Sequence, residues 1–357
     1  MSTIAEANRL YIAGRYFEAL QVYEQVSNTY PQLAAVLEFS LLRCKRKLML
    51  DSSVSVANHS VADKIHETVE KLDGPSANQR EQITVTMTTI RSRLCLVRKV
   101  VESLHAQTLQ PISIELNISS QPYLLDKGIS AADNDLKLLS EYPLVRINWV
   151  NNIGPYRKIW NFLDKHFKQS YAHDKIFVTV DDDTIYPDYF LETLYQKYQE
   201  LDCIVAFRGR HIELDDAAIA GYDKWSWGKS QVEMQNLPTG KDGILYSTKF
   251  FTRDFLELDD ALSLAPTADD LWIKWHCALN GVPSVILNPE ACTSDYKSFP
   301  VVDFSKEYRS NSLFSAHNSN TSQGGNDLTV KRLETYYLEK YGYNLVALIR
   351  GIDGVKV

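Results

Sequence analysis

The sequence predicts an α/β protein built on a mainly parallel, doubly wound sheet, with a small helical appendage at its N-terminus. Three observations lead there. Between residues 83 and 180, β-branched runs alternate with runs whose apolar residues recur at helical spacing. The fourth β-branched run ends in three consecutive aspartates. The first 48 residues show helical spacing alone.

The strand-like runs are Ile83-Thr84-Val85-Thr86-Met87, Ile112 to Ile118, Val145 to Val150 and Lys175 to Val180. Helices are predicted between them at Leu94–Ala106, Asp135–Ser140 and Tyr156–Phe167, with a further helix at Tyr189–Tyr198. Strands alternating with helices pair in parallel, because each crossover returns the chain to the same sheet edge. Ligands of such sheets bind beyond the carboxyl ends of the strands. In residues 1–48, Gly14-Arg15-Tyr16, Ala19-Leu20, Tyr23, Val26 and Pro31 approximate one tetratricopeptide unit. A solitary unit cannot bury its own face, so it is expected to cap the main domain or to recruit a partner protein. The polar stretch 49–80 reads as a linker, 81–300 as the main domain, and 301–357 as a loop and helix closing it.

Composition narrows the function classes. A chain of 357 residues, 45% hydrophobic, is long enough to bury one large core. Its net charge of −7 argues against nucleic-acid binding, which calls for a basic face. Five widely spaced cysteines with no CxxC pair suggest neither a disulfide framework nor a zinc site, and a reducing cytoplasm is the expected location. No segment approaches the roughly 18 apolar residues that cross a bilayer. The basic run Arg43, Lys45, Arg46, Lys47 is either a solvated helix end or, at most, a peripheral contact with anionic lipid.

The most informative stretch is Ile176-Phe177-Val178-Thr179-Val180 followed by Asp181-Asp182-Asp183. A buried strand delivering three carboxylates at its end incurs a repulsion that a cation relieves. Oxygen ligands of this kind suit Mg²⁺ or Mn²⁺, which can bridge a diphosphate. Aspartate also favours turns and helix N-caps, but that accounts for one acid more readily than three.

Val180-Asp181-Asp182-Asp183-Thr184-Ile185-Tyr186-Pro187 resembles the DxD segment of bacterial GT-A glycosyltransferases, including the N-acetylglucosamine transferases of heparosan capsule synthesis. Upstream, Met87-Thr88-Thr89-Ile90-Arg91-Ser92-Arg93 stands where that family has a first-strand loop ending in Arg, and Val101 to Gln107 is similar to the helix after it. The resemblance implies the GT-A, Rossmann-like nucleotide-diphospho-sugar transferase fold. It implies that Thr88, Thr89 and Arg93 line a nucleotide pocket, that Asp181 and Asp182 contact ribose and metal, and that Asp183 ligates the metal directly. Lys158, in Gly154-Pro155-Tyr156-Arg157-Lys158, matches a lysine that can approach the donor. Where the family often has an aromatic-Pro-Pro stretch, this chain has Ile90-Arg91-Ser92, so base stacking by that loop is not implied.

The acceptor side is sought in Trp225-Ser226-Trp227, because sugars present apolar faces that flat aromatics cover. Two tryptophans two apart equally suit one face of a core strand. His211 is either a substrate contact or an ordinary structural histidine. A Gly240 to Gly243 turn would let backbone approach the donor. Pro266-Thr267-Ala268-Asp269-Asp270 opens a helical run through Leu279, with Thr267 as its expected N-cap. Acids in a first turn are favoured by the helix dipole. The resemblance adds that GT-A enzymes carry a second acidic motif here, one carboxylate facing the acceptor hydroxyl; Asp270 is preferred over Asp269 for that catalytic role. It also implies a loop closing over the donor that can lend a histidine to the metal, for which His317 is the candidate.

The expected activity is therefore transfer of a hexosyl or N-acetylhexosaminyl group from a nucleotide-sugar donor, UDP by resemblance, to a glycan or glycolipid acceptor of the bacterial surface such as capsule or lipopolysaccharide. Two rivals are weaker. An aspartyl phosphatase needs Asp-x-Asp-x-Thr, and Ile185 occupies the threonine position. A non-catalytic helical scaffold leaves the acid-bearing domain unexplained.

Overall fold

The computed structural model describes residues 15–30, 83–169, 173–215, 218–287, 298–303 and 325–350, together with Glu6, Ala7, Leu10, Leu41, Cys44, Lys45, Leu48 and Asn318. The expected linker, three of the four basic residues at 43–47 and His317 lie outside them.

The predicted strands form the heart of one sheet. β1 (Ile83–Thr88), β2 (Ser113–Ile118), β3 (Val145–Trp149) and β4 (Ile176–Val180) are all parallel, with β1 between β2 and β4. β1 and β4 are buried along almost their whole length, which is why they read as continuous β-branched and apolar runs. The crossovers are α2 (Val97–His105), α3 (Asn134–Ser140) and α4 (Arg157–Gln169). On α2 the residues Val97, Val100, Val101 and Leu104 are buried, the single-face spacing that marked the segment as helical. α5 (Phe190–Leu201) follows β4.

Beyond α5 the sheet continues in a way the strand–helix alternation did not foretell. The full order is β12-β5-β11-β4-β1-β2-β3, with β5 at Ile204–Ala206, β11 at Ile244–Ser247 and β12 at Ser284–Ile286. β11 runs antiparallel to both β4 and β5, so six of the seven strands share one direction and β11 opposes them. Between β5 and β11 the chain makes a small antiparallel sheet of β6 (Gly209–His211), β9 (Ser226–Trp227) and β10 (Asn236–Pro238), and a hairpin of β7 (Leu214–Asp215) and β8 (Ala218–Ile219).

Helices α6 (Leu258–Leu264), α7 (Asp269–Leu279), α8 (Gly325–Tyr341) and α9 (Leu345–Arg350) complete the domain. α7 is buried on nearly every side, because Trp272 and His276 meet Tyr336 and Tyr337 of α8. The C-terminal helices thus share the main core. The N-terminal helix α1 (Tyr16–Thr29) builds a small core of its own, in which Ala19, Tyr23 and Val26 bury Ala7 and Cys44. Leu41, Cys44, Lys45 and Leu48 are also helical. Tyr343 packs against both cores. No helix among the described residues is long and apolar enough to cross a membrane.

Candidate active site

Parallel strands place their carboxyl ends along one edge, and that edge opens into a cavity of about 460 Å³. β1 contributes Thr88 and the loop through Arg93, β4 contributes Asp181, Asp182 and Asp183, α4 contributes Arg157 and Lys158, and the start of α7 contributes Asp269 and Asp270. Of the residues expected at the site, Thr88, Thr89, Arg93, Lys158, Asp181, Asp182, Asp183, Gly240, Asp269 and Asp270 all line this one cavity.

The three aspartates have different surroundings. Asp181 is the most open, and its amide is held by donation to the Tyr186 hydroxyl at 2.9 Å. Asp182 turns inward, accepting from Thr89 Oγ1 at 2.6 Å and Arg93 Nη1 at 3.2 Å. Burial pushes its carboxyl up to about 6, against the pull of Arg93. Both of its oxygens thus accept from the β1 loop and help to fix it beside the cavity. Asp183 keeps one oxygen 3.5 Å from Arg93 and the other beside the Thr184 hydroxyl. The backbone of 183–185 is clasped by residues 298–303, through Ile185 N to Pro300 O at 2.8 Å and Val302 N to Asp183 O at 2.7 Å. That clasp is tied down by Asp242, whose Oδ1 accepts from Ser298 Oγ and Phe299 N. Asp242 has φ +70°, a left-handed conformation that aspartate tolerates better than most side chains.

Two residues here were missed by sequence reasoning. Arg157 and Asp126, both nearly fully buried, form an ion pair at 3.1 Å. Arg157 also donates to the carbonyls of Thr89 and Gly154, while Asp126 accepts from the amides of Arg91 and Gly128. The pair therefore locks three loops around the cavity. Arg157 neighbours Lys158 in a stretch already singled out; Asp126 sits in a loop with no sequence signal.

The two acidic motifs, nearly ninety residues apart in sequence, meet at Lys158. Its Nζ lies 3.2 Å from Asp269 Oδ2, close enough for an ion pair though not aligned as a hydrogen bond, and 3.8 Å from Asp181 Oδ1. Burial works against this ammonium, but Asp269, Asp181 and Asp270 together outweigh it and hold its pKa above the ordinary lysine range. Asp270 accepts from the Gly240 amide at 3.2 Å through Oδ2, and its Oδ1 has no hydrogen-bond partner. Burial, then the neighbouring Asp269, pushes the Asp270 carboxyl up to about 7. A Cβ at Gly240 would overlap Lys158 Nζ and stand 3.5 Å from Asp270 Oδ1, so glycine here leaves room for Lys158 to sit between the two acidic motifs. Thr267 does not cap α7; the N-cap is Ala268, and the Thr267 side chain pairs with Asn318 instead.

The aromatic expectations fare differently. Trp225 is buried and donates its Nε1 to Ala220 O at 2.8 Å, so it belongs to the core and presents no face to the cavity. His211 is buried between Glu213 and Glu233, at 3.3 and 3.0 Å, away from the cavity. Trp227 lies behind the cavity wall, its ring under Arg208 and Arg210. Those arginines line the cavity with Lys241 and Tyr222, and none of the four was foreseen.

Among the described residues no group of three or more His, Cys, Asp or Glu converges as a metal cage. Mg²⁺ does not need one, because it is usually held by one or two carboxylates with the shell completed by substrate phosphate and water. Asp183 and Asp181 are the hard oxygen donors present that fit such a site. Asp181, Asp182, Asp183 and Asp269 share two pairing cations, Arg93 and Lys158.

No family model matches the chain, and no curated protein matches it. Among solved structures, a 4-diphosphocytidyl-2C-methyl-D-erythritol synthase aligns over 66% of this chain and 100% of its own, at 11% identity and a TM-score of 0.39. S. aureus TarS 1-349 in complex with UDP-GlcNAc aligns over 59% of this chain and 57% of its own, at 16% identity and a TM-score of 0.38. The same TarS fragment with UDP gives 57%, 57%, 14% and 0.37. This chain therefore spans less than two thirds of the TarS fragment. Likeness at this level assigns no function.

Proposed function

We propose that the protein is a GT-A-type glycosyltransferase that moves a hexosyl or N-acetylhexosaminyl group from a UDP-sugar to a bacterial surface glycan, acting at the cytoplasmic side. The observation behind this is the convergence on Lys158 of a strand-end acidic triplet and a helix-start acidic pair, in one cavity beyond the carboxyl ends of a parallel sheet. An aspartyl phosphatase would need a free nucleophilic carboxylate at the first strand; here the first strand ends in Thr88 and is followed by Thr89.

Each residue then has a task. Thr88 and the Arg157-locked loops form the nucleotide wall. Asp183, with Asp181, would hold Mg²⁺ or Mn²⁺, which supplies Lewis-acid neutralisation of the leaving diphosphate when bound. Lys158 sets a fixed positive charge between the donor side and Asp269, where a leaving group gains negative charge. Asp270, with an unpartnered Oδ1 and a pKa near neutrality, is the group that accepts the acceptor hydroxyl's proton. His317 lies outside the described residues and is kept as a proposed metal ligand only by the resemblance.

The test is release of nucleoside diphosphate from a panel of nucleotide sugars, with Mg²⁺ or Mn²⁺ and with EDTA. Metal-dependent release that Asp183→Ala abolishes, in a variant with an unchanged melting curve, is the expected outcome. Release of inorganic phosphate instead, or donor binding indifferent to EDTA, would sink the reading.

A further inference from the structure

We infer that the acceptor carries an anionic group, phosphate or carboxylate, and that Arg208 and Arg210 bind it. This rests on the transferase reading above, because it takes Asp270 to mark the acceptor side.

Arg208 directly precedes β6 and Arg210 lies within it, two apart, so both project to the same side of the extended chain. The guanidinium carbons stand 5.4 and 4.6 Å from the Trp227 ring centroid, and Arg210 is directly opposite Trp227 in the β6–β9 register. One indole thus supports two cations at cation–π distance. The intervening Gly209 holds β6 tightly: a Cβ there would stand 2.5 Å from the Leu237 carbonyl. The arginines are therefore set on a rigid base.

What distinguishes them is the lack of a carboxylate at ion-pair distance; Asp242 acts on Arg208 and Lys241 from farther away, and Arg210 Nη1 donates to the Trp225 carbonyl at 3.4 Å. Elsewhere in the cavity Arg93 is paired with Asp182 and Asp183, Arg157 with Asp126, and Lys158 with Asp269. Among the described residues, Arg208, Arg210 and the adjacent Lys241 have no carboxylate within ion-pair distance, although all three line the same cavity. Arg208 Nε is buried with no hydrogen-bond partner. Two guanidiniums held together repel, and burial adds to the cost of their charge; an anion seated between them removes both penalties and accepts their planar forks of donors. Trp227, a candidate sugar platform or core-strand residue by sequence, lies under these cations.

The backbone places the pair relative to the chemistry. The Arg208 carbonyl accepts from the Thr239 amide at 3.1 Å, and the next amide, that of Gly240, donates to Asp270 Oδ2 at 3.2 Å. β6 is thereby joined to the turn that holds Asp270, whereas the nucleotide wall is built from β1 and the Arg157-locked loops.

The experiment measures equilibrium binding of methyl β-glucoside, methyl β-glucuronide and glucose 6-phosphate to the full chain, with and without saturating UDP and Mn²⁺. At least one anionic probe is expected to bind at least tenfold more tightly than the neutral glycoside, more weakly at high salt. Arg210→Ala and Arg210→Gln, each checked by melting curve, should reduce that preference to within about twofold and leave UDP affinity unchanged. Glucuronide preferred over glucose 6-phosphate, or the reverse, identifies carboxylate or phosphate as the natural group. Equal binding of neutral and anionic probes, no saturable binding of either anion, or a loss of UDP affinity in both Arg210 variants would overturn the inference. Absence of UDP binding in the wild type counts instead against the donor site, since anion selectivity is read without UDP as well.

Discussion

Replacing Asp270 by asparagine separates catalysis from stability, because the two are expected to move in opposite directions. Asparagine keeps the acceptor for the Gly240 amide and removes only the charge. If Asp270 is the base, turnover falls by about 10²–10⁴-fold, which corresponds to roughly 3–5 kcal/mol of barrier. Stability follows from proton linkage. The folded carboxyl titrates at about 7, above its ordinary 3.8, so the native state binds more protons than the unfolded state between those values. Stability contributed by this group is therefore full at low pH, declines as pH rises through the window, and is lowest above pH 7. At pH 8 the asparagine variant should be more stable than the wild type by on the order of 2–4 kcal/mol. Wild-type turnover should rise between pH 6 and pH 8 as the base ionises. Steady-state nucleoside diphosphate release and urea unfolding at pH 8 decide the matter. A helix-dipole role gives the opposite signature, a loss of about 0.3–1 kcal/mol with activity intact. Near-normal turnover in a destabilised variant refutes the catalytic assignment, and a severe loss in Asp269→Asn with a mild one in Asp270→Asn transfers the role to Asp269.

Two further perturbations probe the frame around the site. Asp242, pushed up to about 6 by burial, lowers stability as pH rises from about 4 to about 6. Asp242→Asn preserves the left-handed turn and the bonds from Ser298 and Phe299. It should flatten the pH dependence of urea unfolding between pH 4 and pH 8 by roughly 2–3 kcal/mol, and an unchanged slope would show that Asp242 ionises normally. Gly240→Ala brings a Cβ against Lys158 Nζ, the free end of a flexible side chain, so the fold should survive with a melting temperature close to wild type. Lys158 must then leave Asp269 or Asp181, and at least a tenfold fall in kcat/KM is expected; unaltered kcat/KM would mean that the position of Lys158 is not critical.

Much of the main domain was legible in the sequence because it depends on local periodicity. β1 and β4 are buried on both faces, so their residues are almost uniformly β-branched or apolar, and α2 buries one face at i, i+3, i+4, i+7. The acidic triplet and pair stood out for a related reason: carboxylates concentrated at a strand end and a helix start are costly unless something offsets them. The parallel-sheet rule then put the triplet at a cavity.

What the sequence could not reveal depends on which segments lie side by side. Nothing local in Ile244–Ser247 announces that it inserts antiparallel between β4 and β5, since the partner of a short buried strand is chosen by the remaining space in the sheet. Asp182 looked like its two neighbours, and only the position of Thr89 and Arg93 shows that its charge is consumed inward. The converse holds for Arg208 and Arg210, ordinary in sequence and, among the described residues, without a carboxylate at ion-pair distance in space. Trp225 and Trp227 had identical prospects two residues apart; Trp225 ends the turn before β9 and is buried, whereas Trp227 lies within β9 beneath two guanidiniums. The sequence by itself determined the residue types and the local periodicities. Tertiary structure decided which charges are neutralised, because neutralisation depends on distances of a few ångströms between segments that the chain separates by tens of residues.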